Sequence, residues 1–129
     1  MHGMLGNSGN FRTWGANLTK EVKTARRMFA LDLRNHGKSE HLPTMSYEEM
    51  ADDVYNFLSL KGMADENKGA ILVGHSMGGK VAAMTSLKYP DVIKGCVIMD
   101  ICPVSYSVVD QVSISLARKN QTNWFGVAY

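Results

Sequence analysis

The residues Gly74-His75-Ser76-Met77-Gly78-Gly79 follow directly on the apolar run Ala70-Ile71-Leu72-Val73. A buried strand that runs into G-x-S-x-G and then into a helix places its serine on a tight turn, at dihedrals most residues avoid. The flanking positions must carry almost no side chain, or strand and helix collide. Gly74 and Gly78 meet that need, and Gly79 lets the helix pack closely. The serine then stands at a helix N-terminus, where free N–H groups and the dipole favour developing negative charge. That arrangement suits nucleophilic attack on an acyl carbonyl, with Ser76 as the nucleophile.

A tetrahedral intermediate needs donors aimed at its oxygen. The backbone N–H of Met77, next after the nucleophile, supplies one. His2-Gly3 ahead of the first helix suits a loop that supplies another, the N–H of Met4; the plain alternative is a flexible terminus. Each such donor lowers the barrier by about 3 kcal/mol. Asp100 closes the apolar run Cys96-Val97-Ile98-Met99, at the carboxyl edge where open α/β sheets place their sites. It is either a triad acid that orients a histidine or a cap for the loop Ile101-Cys102-Pro103.

The general base is the awkward member. All four histidines (His2, His36, His41 and His75) precede Ser76. His75 neighbours the nucleophile, but adjacent side chains diverge at a tight turn, so it is expected to pack. His36 lies in a loop on the active edge, but nothing in the sequence fixes its geometry towards Ser76, and His41 reads as a surface residue. Asp32 ends a strand beside Arg34 and is expected to form a salt bridge with it. Asp52 and Asp53 fall on a solvated helix face.

Several function classes drop out. A net charge of +2 with scattered basic residues gives no nucleic-acid footprint. No apolar run approaches the roughly 20 residues of a membrane span. No histidine, cysteine or carboxylate spacing marks a metal site, and Gly6-Asn7-Ser8-Gly9 lacks the lysine of a P-loop. A composition of 45% hydrophobic and 20% charged residues is that of one modest globular domain. Cys96 and Cys102 flank one expected strand, which would hold them roughly 20 Å apart. They read as reduced core thiols of an intracellular protein. Asn120-Gln121-Thr122 is a glycosylation sequon, relevant only in a secreted chain.

The elements that must position these residues alternate along the chain. Phe11, Trp14, Leu18 and Val22 mark an amphipathic helix from about Asn10 to Val22. Arg27 to Leu33 reads as a buried strand. Ser46-Tyr47-Glu48-Glu49 is a capping box, opening a helix with Met50, Val54, Phe57 and Leu58 on one face. Gly62 suits its C-terminus. Ala70 to Gly74 is a strand, Met77 to about Tyr89 a helix stopped by Pro90, and Gly95 to Ile101 a strand closed by Pro103. The fold class is α/β, with parallel strands covered on both faces. Beyond Val104, Val109, Val112 and Leu116 allow a short helix.

Taken together, His2-Gly3, Leu31-Asp32-Leu33-Arg34-Asn35-His36-Gly37-Lys38-Ser39, Met45-Ser46-Tyr47, Gly74 to Lys80 and Asp100-Ile101-Cys102-Pro103 resemble an α/β-hydrolase. The resemblance is to the esterase/lipase group typified by abhydrolase domain-containing protein 11, over residues 2 to about 104. It implies a three-layer αβα fold and a serine hydrolase that cleaves lipid or small acyl esters through an acyl-serine, with no cofactor. A thioester or carbon–carbon hydrolase is the variant chemistry; a non-catalytic binding or regulatory fragment is the alternative class. It further implies strands before His2 and after Asp100, a lid between them, and a catalytic histidine near the far end. The chain is thus expected to be incomplete and inactive alone, with a partial core over 1–104 and a lid start or divergent tail over 105–129. Open sheet edges would favour self-association. Members of this group are typically mitochondrial.

Overall fold

The computed structural model describes residues 1–65 and 67–101 in full and residues 124–127 as backbone. A 3-10 turn, Ser8–Phe11, leads into helix α1, Arg12–Glu21. Helix α2, Tyr47–Leu60, starts on the expected capping box: Ser46 Oγ accepts from the Glu49 N–H at 3.1 Å, and the Glu49 carboxylate accepts from the Ser46 N–H at 2.8 Å. It ends in a Schellman turn, in which Gly62 takes φ 64° and Met63 and Gly62 donate to Leu58 and Ser59 carbonyls. Strand β1, Ala70–His75, passes through the serine turn into helix α3, Met77–Lys88, and returns as strand β2, Ile93–Met99.

The sheet is parallel with strand order β1-β2-β3, where β3 is Trp124–Val127. His75 lies opposite Met99 in the first pair, and Met99 opposite Val127 in the second. Leu72 of β1 and Cys96 and Ile98 of β2 bury against α3, whose Val81 and Ala82 meet Met50, Val54 and Leu58 of α2. Alternation along the strands sends His75 and Met99 to the other face. There they share a cleft with Phe11 and Trp14. Burial holds the Cys96 thiol protonated, with its pKa pushed up to about 11, as suits an inert core cysteine.

Three expectations need correction. Arg27 to Leu33 is extended but joins no ladder. Leu31 and Leu33 reach the core, while Met28 and Phe29 remain 40% and 39% exposed. Apolar content alone does not make a strand; a hydrogen-bonding neighbour must lie alongside. The third strand is instead β3, which lies beyond Val104, where no strand is expected. In α1 the buried residue is Gly15, against Met28, whereas Trp14 faces the cleft and stays exposed. Cys102, Pro103, the helix suggested by Val109, Val112 and Leu116, and the sequon at 120–122 lie outside the described residues.

The charged residues also pair differently. Arg34 turns away from Asp32 and grips Asp53 with two nitrogens, at 2.6 and 2.9 Å, and Glu49 at 3.2 Å. Asp32 is satisfied by backbone donors instead, Ser8 at 2.5 Å and Lys38 at 2.9 Å, which hold its carboxyl below the usual range. Asp52 is no solvated bystander: it meets Lys88 at 2.6 Å and the Tyr89 hydroxyl, tying α2 to the end of α3. The α2 cap offers a clean check on these local assignments. Ser46→Ala should cost about 1 kcal/mol in urea unfolding, and an unchanged midpoint would remove the cap's role.

Candidate active site

Ser76 sits between β1 and α3 at φ 51° and ψ −120°, a conformation that costs a non-glycine residue about 1–3 kcal/mol. Its neighbours hold it there. The Ser76 N–H donates to the Met99 carbonyl of β2 at 2.9 Å, and the Ser76 carbonyl accepts from Gly79 and Lys80 at 2.8 and 3.2 Å. A Cβ on Gly74 would lie 2.0 Å from the Gly78 carbonyl oxygen, inside the helix backbone itself. One on Gly78 would stand 2.5 and 2.6 Å from the carbonyls of Met1 and His2. A Cβ on Gly79 would lie 3.0 Å from both Ile98 and Ile101, the close packing expected of it.

The N-terminal residues are an ordered part of this site. Met1 is laid along β1, its ammonium donating to the Val73 carbonyl at 2.7 Å and its carbonyl accepting from His75 at 3.0 Å. Gly3 to Gly6 form a turn closed by a 3.0 Å bond from the Gly6 N–H to the Gly3 carbonyl, with Leu5 at φ 62°. A Cβ on Gly3 would lie 3.2 Å from the Ser76 Cβ, so the turn abuts Ser76. Met4 occupies its exposed tip. Met77, buried, begins α3, and its N–H has no acceptor within the helix.

Asp100 follows β2 at φ 52° with its side chain 83% exposed, and its Oδ2 lies 3.2 Å from Nε2 of His75. His75 is therefore a carboxylate partner at the sheet edge, 45% exposed, rather than a packing residue. His36 packs on the ring of His2, with centroids 5.0 Å apart, and its Nδ1 bonds the Arg34 carbonyl. His41 is exposed in its loop. Among the described residues, no imidazole hydrogen-bonds Ser76.

A cleft of about 260 Å³ opens beside the turn, lined by Gly3, Asn10, Phe11, Trp14, His75 and Met99 among others. Among the described residues no three metal-ligating side chains converge, and no helix is long and apolar enough to cross a membrane. Sequence reasoning missed His2, which is fully buried and bonded at both ring nitrogens. Its signal was the His-Gly pair, which marks a loop but not a buried ring.

A sequence-family profile described as the alpha/beta hydrolase fold matches residues 1–125. A probable alcohol acetyltransferase of Saccharomyces cerevisiae is 46% identical over 81% of this chain and 30% of its own length. The sn-1-specific diacylglycerol lipase ABHD11 of mouse is 40% identical over 81% of this chain and 32% of its own. Among solved structures, a marine microorganism esterase superposes with a TM-score of 0.74 at 30% identity, covering 89% of this chain and 41% of that one. The chain thus spans about a third of the length of these two sequence relatives.

Two outcomes test the geometry. Gly74→Ala should lower stability by about 3 kcal/mol or more, because backbone on both sides of the new methyl must move; an unperturbed variant would contradict the close approach. Burial also lowers the pKa of His2 from 6.5, and that of the Met1 ammonium from 8.0 to about 6. The unfolded chain therefore takes up these protons first as pH falls. Stability should decline as pH falls from about 8 to about 6 and continue downward as His2 titrates, read as a falling urea midpoint.

Proposed function

Because this chain belongs to the α/β-hydrolase fold family, we propose that it carries the nucleophile and oxyanion part of a serine-dependent acyl-transfer site for lipid or small acyl esters. The observation that carries this reading is Ser76 held at φ 51° between a parallel strand and a helix N-terminus. Ser76 Oγ attacks the ester carbonyl and loses its proton to a base. The Met77 and Met4 N–H groups receive the oxyanion, and the alcohol leaves with a proton from the same base. Water then cleaves the acyl-serine, giving hydrolysis; a second alcohol would give transfer. The names of the lipase and acetyltransferase relatives support both acceptors. Asp100 is the triad acid in this reading, since its exposed carboxylate already meets one imidazole at the same edge. The resemblance to the abhydrolase domain-containing protein 11 group implies a mitochondrial location as part of this proposal.

The base is the missing partner. With the four imidazoles engaged elsewhere or remote, Ser76 stays a weak nucleophile, and loss of one triad member removes most of the rate enhancement. That geometry also favours a second reading, a non-catalytic fragment that binds acyl ligands. A fluorophosphonate probe separates the two. Slow labelling confined to Ser76 and abolished by Ser76→Ala supports the nucleophile; no labelling above the alanine variant after prolonged exposure supports the binding fragment.

A further inference from the structure

His2 lies fully buried beneath the turn that abuts Ser76. Its Nε2 is 3.0 Å from the backbone nitrogen of Leu33, and its Nδ1 is 2.9 Å from the Gly3 carbonyl oxygen. A backbone N–H can only donate and a carbonyl can only accept. Nε2 therefore holds a lone pair and Nδ1 holds the proton. The same Gly3 oxygen also accepts the Gly6 N–H that closes the turn. One ring thus links Leu33, at the start of the His36-Gly37 loop, to the carbonyl on which the Met4 turn is built.

We propose that His2 is a positioning residue, whose neutral ring with Nδ1 protonated fixes the turn that presents the Met4 N–H beside Ser76. The oxyanion part of this rests on the acyl-transfer reading above; the tether itself does not. Four groups bear on the ring. Burial favours the neutral form, and the His36 ring and the Met1 ammonium act in the same direction. The Gly3 carbonyl, which accepts from Nδ1, and the Asp32 carboxylate oppose them. A proton on Nε2 would face the Leu33 N–H donor to donor, so acid must break this link and free the turn. A residue that merely filled space would loosen the core around it instead, including α2 and α3.

Nitrogen NMR and amide exchange on the intact chain separate these cases. Near neutral pH, Nε2 of His2 should show the unprotonated resonance and Nδ1 the protonated one. As His2 takes up a proton, exchange at Leu33 and Gly6 should accelerate by about tenfold or more, while Val54 and Val81 keep their protection. His2→Gln, which can place an acceptor near the Nε2 position, should protect Leu33 without that pH dependence. A proton on Nε2 at neutral pH, or Leu33 and Gly6 amides that ignore the titration, would overturn the proposal. If the glutamine variant does not fold, the wild-type titration still decides. An inert Ser76 would count against the nucleophile reading and leave this readout untouched.

Discussion

Helix α3 approaches strand β1 so closely that the Gly78 carbonyl oxygen stands 2.0 Å from where a side chain on Gly74 would begin. No residue with a Cβ fits that contact, and the rest of the site follows from it. The chain must reverse between the two glycines, which leaves Ser76 in a left-handed conformation at the head of a helix. The strain is offset by three bonds, one from Ser76 to β2 and two from the first turn of α3 back to Ser76. The second glycine serves a different neighbour. Gly78 leaves space for the Met1 and His2 carbonyls, and so lets the N-terminal turn settle against Ser76.

Around this junction, polar contacts register elements that the core alone would leave free to slide. Arg34 grips Asp53 and Glu49, fixing the loop after Leu33 to α2. Asp52 with Lys88 and Tyr89 joins α2 to α3 at the far end. Asp32 gathers the N–H groups of Ser8 and Lys38, linking the N-terminal segment to the same loop. Pairs of this exposure add little energy, often under 1 kcal/mol each. Their effect is geometric, since they set where the loop meets His2 and, through it, the turn beside Ser76.

Much of this was legible in the residues. Gly74, Ser76, Gly78 and Gly79 reported the strand–turn–helix because backbone contact restricts residue type. Ser46 and Glu49 marked a helix start through local hydrogen bonds, which depend on neighbours in sequence. What failed depended on partners distant in sequence. Arg27 to Leu33 has the apolar content of a strand but no ladder, whereas Trp124 to Val127, equally apolar, pairs with β2. The choice of Arg34 for Asp53 over its near neighbour Asp32, and of His75 for Asp100, arises from side-chain reach across elements. No spacing along the chain encodes that.

On the proposed reading, Ser76 is a nucleophile that lacks an imidazole base. Added imidazole tests it most directly, measured as the rate of acylation of the chain by a chromogenic short-chain ester over a protein-free control. The account predicts a rate that climbs with imidazole concentration, vanishes in Ser76→Ala and weakens in Asp100→Asn. Equal rates for the wild-type chain and Ser76→Ala at every imidazole concentration would contradict it.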